Sequence, residues 1–326
     1  MKNYFEPVIV SNWEHGKKAV EVGIEVLRKS GSALDAVEQG IRAVEDDPEV
    51  DSVGTGGIPN IEGVGELDAS IMVGNTYRSG AVSCLTRTKN PISVARKVME
   101  LSPHNMLCGE GARRFARAVG FPDYEPVTHV AKEKWLVLRQ KLFQAAQDPS
   151  ITQEYHRVLG YDTGSGLSSL IRGIELLVRA GEIKQFGTVG TLAVDQTGKI
   201  VAGTSTSGWA LRLPGRVSDS SVIGAGNYAC PSGASSSTGL GEYAIKHNLA
   251  RKVCDRLEEG YSPTEACEET LKQMLKRENV SVILALIAVD KQGKVGGATT
   301  KESFCYHYQR VSDATITKVV STPVTA

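Results

Sequence analysis

The chain carries the same turn twice. Ala193-Val194-Asp195-Gln196-Thr197-Gly198-Lys199 aligns with Ala288-Val289-Asp290-Lys291-Gln292-Gly293-Lys294, and each copy follows an apolar run and precedes a strand-like segment rich in Gly, Ala and Thr. An aspartate opening a short polar stretch and a glycine closing it, between apolar runs, is hairpin chemistry. Two equivalent hairpins are predicted, the first pairing Val189–Val194 with Ile200–Ser205. Helical periodicity before, between and after them predicts an α+β chain of sheets covered by helices.

The flanking segments fill in this outline. Val8–Ser11 reads as a strand, followed by the loop Asn12-Trp13-Glu14-His15-Gly16 and a helix with Ala19, Val22 and Val26 on one face. Ser32 with Asp35 is a capping-box-like start for a second helix carrying Leu34, Val37, Ile41 and Val44, stopped by Pro48. Ala69–Val73 and Gly80–Leu85 read as paired strands, and helices follow near Ile92–Leu101 and Glu110–Val119. From Pro122 to Phe186 the pattern loosens into a helical Trp135–Gln147, a loop at 161–166 and an apolar helix at Leu170–Val178. A connection of that length inside a domain implies a lid, an insertion or a processed linker. Between the hairpins lie a Gly/Ser-rich loop, Ser235–Gly241, and two helices, the second opening with Ser262-Pro263-Thr264-Glu265.

Composition excludes several functions. At 326 residues and 41% hydrophobic the chain has material for a large core. Its 37 basic residues balance 37 acidic ones, which argues against nucleic-acid or membrane-surface partners. No run of eighteen apolar residues and no apolar leader is present, so a cytoplasmic protein is expected. The six cysteines include no C-x-x-C pair and no histidine is read at metal-ligand spacing from them, which predicts neither a disulfide framework nor a zinc site. There is no H-E-x-x-H, no G-x-S-x-G and no Walker loop. Gly224-Ala225-Gly226-Asn227-Tyr228-Ala229 imitates a dinucleotide fingerprint, but Cys230-Pro231 follows where a helix must begin.

The remaining chemical signal is Gly187-Thr188-Val189-Gly190, where the long connection meets the first hairpin. A threonine there can simply open a strand. The alternative is that the Gly187–Thr188 bond is cut. Thr188 then carries an α-amino group, of ordinary pKa about 7.7 to 8.0, beside its own hydroxyl, and nucleophile and base come from one residue.

Nearly the whole chain resembles the glycosylasparaginase branch of the N-terminal-nucleophile (Ntn) hydrolases, the superfamily that also holds isoaspartyl peptidases and plant-type asparaginases. The blocks that carry the likeness are Asn12-Trp13, Gly31-Ser32-Ala33-Leu34-Asp35-Ala36-Val37-Glu38, Ser52-Val53-Gly54-Thr55-Gly56-Gly57, Leu67-Asp68-Ala69, Gly80-Ala81-Val82 and Ala95-Arg96-Lys97-Val98. In the second half they are Gly187-Thr188-Val189-Gly190, Gly203-Thr204-Ser205-Thr206-Ser207-Gly208, Gly215-Arg216-Val217-Ser218-Asp219-Ser220, Gly224-Ala225-Gly226 and Ser237-Thr238-Gly239-Leu240-Gly241-Glu242. The resemblance implies one four-layer αββα Ntn-hydrolase domain over 1–326, self-cleaved into subunits 1–187 and 188–326, with a linker over about 122–187. It implies dimers of cleaved protomers and no cofactor or metal in the mechanism.

It also assigns roles. Thr188 is the nucleophile and Thr206 its positioner, while Thr238 and Gly239 stabilise the oxyanion. Arg216 and Asp219, with Val217 and Ser218 between them, take the α-carboxylate and α-ammonium of an aspartyl substrate, a task suited to the guanidinium fork. Leu240, Gly241, Trp13 and Ser52 border the substrate. The implied reaction is hydrolysis of the side-chain amide of GlcNAc-asparagine, with isoaspartyl peptidase or asparaginase activity as the alternative and a non-cleaving binding homologue as a third. An open Gly54–Gly57 loop is expected to admit the sugar. Three positions depart from the pattern: Gly187 where this branch typically has aspartate, Ser218 where glycine is usual, and Val73 in place of an aspartate.

Overall fold

In the computed structural model the two predicted hairpins form, one in each of two stacked sheets. The structure describes residues 5–146, 166–183, 187–280, 282–301 and 304–324. Of the loop expected over 161–166, residues 161–165 lie outside them, and Gly166 opens a helix instead.

The first sheet orders its eight strands β12-β11-β1-β5-β6-β2-β3-β4, antiparallel except for the β3–β4 pair. These are β1 (Val8–Asn12), β2 (Glu66–Val73), β3 (Arg78–Thr86), β4 (Met106–Cys108), β5 (Val189–Val194), β6 (Ile200–Thr206), β11 (Cys305–Arg310) and β12 (Thr317–Val320). The second sheet runs β10-β9-β8-β7, from β7 (Asn227–Cys230), β8 (Gly233–Gly239), β9 (Leu284–Asp290) and β10 (Val295–Thr299). Both hairpin turns are closed the same way. The backbone N–H groups of Thr197 and Lys199 donate to Asp195 Oδ1, and those of Gln292 and Lys294 donate to Asp290 Oδ1. The closing glycines, Gly198 and Gly293, have φ of 77° and 80°.

Strand residues alternate between layers, as a period of two requires. Val8 and Val10 point between the sheets to meet Ile287 and Val289, while Ile9 points outward beneath the first helices. Those helices, α1 (Gly16–Arg28), α2 (Ala33–Glu45) and α3 (Pro91–Leu101), cover the large sheet. On the far side Leu284 and Leu286 point away from the sheet interface into α8 (Leu249–Glu258) and α9 (Pro263–Glu278). Strands covered on both faces read as continuous apolar runs. The result is the αββα sandwich, with α4 (Gly109–Ala118) beside β3 and α7 (Gly241–His247) leading into α8. α5 (His129–Ala146) and α6 (Gly166–Arg179) supply a separate small core around Trp135, Leu142, Ile174 and Leu177. No helix among the described residues is long and apolar enough to cross a membrane.

The caps behave as predicted. Ser32 accepts from the Asp35 amide, and Ser262 with Glu265 forms the reciprocal capping box. Three local expectations fail. The buried face of α1 is Ala19, Val20, Ile24 and Leu27, with Val22 and Val26 only partly covered. Gly23 lies on that buried face, where a Cβ would stand 2.9 Å from the Ala36 carbonyl oxygen, and its absence lets α1 lie close against α2. The Ser235–Gly241 stretch is mainly a strand: Ser235, Ser236 and Ser237 are fully buried in β8 between β7 and β9. Small hydroxyl side chains fit where two sheets approach, so polarity misled the reading. The two helices after it are three, since Asn248 adopts φ 49° and breaks the first into α7 and α8.

Candidate active site

β5 is a central strand, and Thr188 immediately precedes it, 6% exposed. Its hydroxyl oxygen lies 3.4 Å from the Ser220 Oγ. The Val189–Ser205 register places Thr206 across from it at the end of β6. The carbonyl that Thr188 would attack belongs to Gly187, and the Ser52 hydroxyl donates to that oxygen at 2.8 Å. Gly187 has φ 139°, and a Cβ there would stand 2.2 Å from Ser52 Oγ. Both features favour glycine at the position before Thr188. Thr206 holds the same loop from below, donating to the Ser52 carbonyl at 3.2 Å and accepting from the Gly208 amide at 3.0 Å. It therefore positions Ser52, and it lines the same cleft as Thr188.

The substrate-facing pair occupies the stretch after β6. Asp219 opens a short 3-10 turn, 3% exposed, and accepts from the Ser237 hydroxyl at 2.8 Å. Burial pushes its carboxyl up to about 6, against the pull of Ser237 and the Arg216 charge. Arg216 is engaged from within the chain: its Nε and Nη2 donate to Glu242 Oε1 at 3.0 and 2.8 Å. Its guanidinium also sits 5.7 Å from the Trp209 ring centroid. The fork expected to grip a substrate carboxylate thus already grips one. Asp68 anchors the segment, accepting from the Ser218 amide at 2.8 Å and the Cys84 amide at 2.7 Å.

These groups converge on a narrow cleft of about 20 Å³ lined by Ser52, Gly187, Thr188, Thr206, Arg216, Ser218, Asp219, Gly239 and Leu240, with Gly208 and Trp209. Thr238 lies behind it, 1% exposed, where the Trp13 indole Nε1 donates to its hydroxyl oxygen at 2.8 Å. Having accepted from the indole, that hydroxyl keeps its own proton to donate elsewhere. Trp13 and Gly241 back the cleft without lining it, and Val217 faces outward at 38% exposure. A second cavity, about 480 Å³, shares Ser52, Gly208 and Trp209 with the first. Its wall is apolar (Ile58, Val137, Leu138, Ile183), and the ion pairs Lys134–Asp51 and Lys141–Glu182 stand among its lining residues.

A family model described as asparaginase matches residues 10–319. The chain belongs to the asparaginase family. Among curated relatives, a plant-type L-asparaginase of Pyrococcus horikoshii is 41% identical over 90% of this chain and 88% of its own length. An isoaspartyl peptidase/L-asparaginase of Homo sapiens is 38% identical over 85% and 79%. An N(4)-(β-N-acetylglucosaminyl)-L-asparaginase of Elizabethkingia miricola is 35% identical over 92% and 80%. An asparaginase-family amidohydrolase with the Ntn fold is what these matches and the sandwich have in common.

One specificity argument from the sequence is overturned within this family frame. The Gly54–Gly57 loop is not open: a Cβ on Gly54 would meet the Glu45 carbonyl oxygen at 2.4 Å, one on Gly56 the Pro48 carbonyl oxygen at 2.5 Å, and one on Gly57 the Ser207 Oγ at 2.0 Å. The glycines serve close packing, and room beyond the cleft comes instead from the cavity beside α5. The sequence reading also passed over Asn12, whose Oδ1 accepts from the Gly190 amide at 2.8 Å, and Ser220, Ser237 and Glu242. All four sit inside blocks already quoted. Their type alone gave no role because each acts through a partner distant in sequence. His15 was equally silent. Burial pushes its imidazole down to about 4, opposed by a polar contact with the Thr188 backbone, so it is neutral beside Thr188 at physiological pH.

Proposed function

We propose that the chain is the precursor of an N-terminal-threonine amidohydrolase that cuts its own Gly187–Thr188 bond. The observation that carries this reading is the Ser52–Gly187–Thr188 arrangement: a buried hydroxyl next to a carbonyl already polarised by a 2.8 Å hydrogen bond. The Thr188 Oγ adds to the Gly187 carbonyl carbon, the C–N bond breaks as the amine takes a proton, and an ester forms. Water then hydrolyses the ester, leaving fragments of 187 and 139 residues. In the second activity the free α-amine takes the Thr188 hydroxyl proton, and the oxygen attacks the side-chain amide of an aspartyl substrate held by Arg216 and Asp219. The Thr238 hydroxyl and Gly239 amide meet the oxyanion, the leaving amine departs protonated, and water frees aspartate.

For the leaving group, the cavity next to Trp209 supports something larger than ammonia. Its apolar wall suits the side chain of a β-aspartyl peptide's second residue. A second reading, GlcNAc-asparagine, is favoured by the Ser52–Gly57 block and by the likeness to the Elizabethkingia relative.

The test is mass and N-terminal sequencing after expression, expecting Thr188 as a new terminus and none in Thr188→Ala. An intact, inert wild-type chain would favour the non-cleaving homologue. On one fully cleaved preparation, kcat/KM is then compared for β-aspartyl-leucine, GlcNAc-asparagine and asparagine. A tenfold lead for the sugar substrate, about 1.4 kcal/mol in transition-state binding, reverses the ordering.

A further inference from the structure

We propose that Glu14, Cys305 and His307 form a binding site for a thiophilic divalent transition-metal ion of the zinc class, separate from the cleft. Cys305 and His307 are two apart on β11, and strand alternation puts them on one face, opposite Tyr306, which packs between the sheets. They are 5% and 3% exposed. Glu14 arrives from the loop after β1, held there because the Trp13 amide donates to the Cys305 carbonyl at 2.8 Å. The sulfur lies 3.5 Å from Glu14 Oε1, His307 Nε2 lies 3.7 Å from Glu14 Oε2, and the three donor atoms all fall within 4.8 Å of one another.

Those separations approach what an ion needs. Tetrahedral zinc with bonds of about 2.0 to 2.3 Å sets its ligand atoms about 3.3 to 3.8 Å apart; the two contacts run to different Glu14 oxygens, but with one donor atom taken from each residue all three lie within 4.8 Å, so shifts of up to about 1 Å, available to the exposed Glu14 side chain, close the set around an ion. The imidazole is also oriented for the task. His307 Nδ1 lies 3.1 Å from the Trp13 carbonyl oxygen, which can only accept, so Nδ1 carries the proton and the Nε2 lone pair faces the cluster. A ring N–H committed to a carbonyl while the other nitrogen points at the site is the outer support that metal-bound histidines use. The mixed thiol, imidazole and carboxylate set selects Zn²⁺ or Co²⁺ over Mg²⁺ or Ca²⁺. Binding displaces the thiol proton to solvent and leaves a fourth position for water.

Lys318 is the competitor. Its ammonium bonds Glu14 Oε1, and its side chain is 47% exposed, so it can turn out into water when a dication arrives. The site also reaches toward the cleft. Cys305 and His307 hold the backbone of Trp13 on both sides, and the Trp13 indole bonds Thr238.

The test is titration of Co²⁺ into metal-free protein. We expect one equivalent with a thiolate-to-cobalt charge-transfer band and visible bands of tetrahedral intensity, displaced by Zn²⁺. Cys305→Ser should abolish the charge-transfer band, while Cys108→Ser, which removes the one exposed thiol, should keep it. Glu14→Gln, at an exposed side chain that leaves the fold intact, should weaken binding about tenfold or more. Lys318→Ala should tighten it, a result a purely structural cluster would not give. No band at stoichiometric Co²⁺, a band that survives Cys305→Ser, or affinity unchanged by both Glu14→Gln and Lys318→Ala would overturn the proposal.

Discussion

The Ser52 hydroxyl and the Gly187 carbonyl oxygen are 2.8 Å apart, and the space a side chain at 187 would need is filled by Ser52 itself. One serine therefore polarises the bond before Thr188 and restricts what can precede it. This accounts physically for glycine at a position where the glycosylasparaginase pattern has aspartate. Ser52→Ala should slow self-cleavage on the order of a hundredfold, the usual loss on removing one donor to an oxyanion. A gel time course reads this directly, and processing at the wild-type rate would remove Ser52 from the mechanism.

Glu242 occupies the Arg216 fork, so a substrate carboxylate bound there, as proposed, would have to displace it. The pair is only partly buried, with Glu242 43% exposed, and its contribution is correspondingly small. Glu242→Gln should lower KM for aspartyl substrates about two- to fivefold with little change in kcat. Arg216→Ala should cost about 2 to 5 kcal/mol in kcat/KM, and Arg216→Lys should recover little of it. Steady-state kinetics on fully cleaved enzyme decides both, and an unchanged KM in Glu242→Gln would show that the ion pair does not compete.

Asp219 must be ionised to receive an α-ammonium, yet burial pushes its carboxyl up to about 6. Substrate binding should therefore weaken as pH falls through about 6, seen as a rise in KM on the acid side. Asp219→Asn should bind poorly at every pH and lose that limb. A limb that persists unchanged in the variant would assign it to another group, the Thr188 α-amine being the first candidate.

Glu45 lies outside the cleft and carries a stability cost. It is fully buried at the end of α2, accepting from the Ile92 amide at 3.1 Å, and burial raises its carboxyl from 4.5 to about 7. The folded state thus holds a proton that the unfolded chain releases above pH 4.5. Stability should fall as pH rises from about 4.5 to 7, by about 3 kcal/mol at most, and then level off with respect to this group. Glu45→Gln should flatten that window in denaturant titrations, and an identical pH profile in the variant would refute the assignment.

Much of this was legible in the chain. The repeated Asp-x-x-Gly turn placed both hairpins because turn chemistry is local, and the Ser262 cap fixed α9 for the same reason. Thr188, Arg216 and Asp219 came from ordered blocks, and the structure brings all three to one cleft. What stayed hidden depends on distant partners. Ser235–Ser237 read as loop because serine is usually polar surface, while between two sheets its small volume matters more. The Gly54–Gly57 stretch read as open because absent side chains leave no sign of the Glu45, Pro48 and Ser207 atoms that fill their place. Glu242 was visible as a residue but not as the guanidinium's partner, since 26 positions separate them.

Gly187 lines the same cleft as Arg216 and Asp219. Cutting after it would create a carboxylate at that spot, attached to the rest of the first fragment. A tethered group of this kind acts at an effective concentration in the millimolar range for a short flexible tether, whatever the enzyme's dilution. The first ligand of the newly made enzyme would then be its own severed end, and maturation would have two stages: bond cleavage, which is concentration-independent, and withdrawal of the tail, which sets when outside substrate first gains entry.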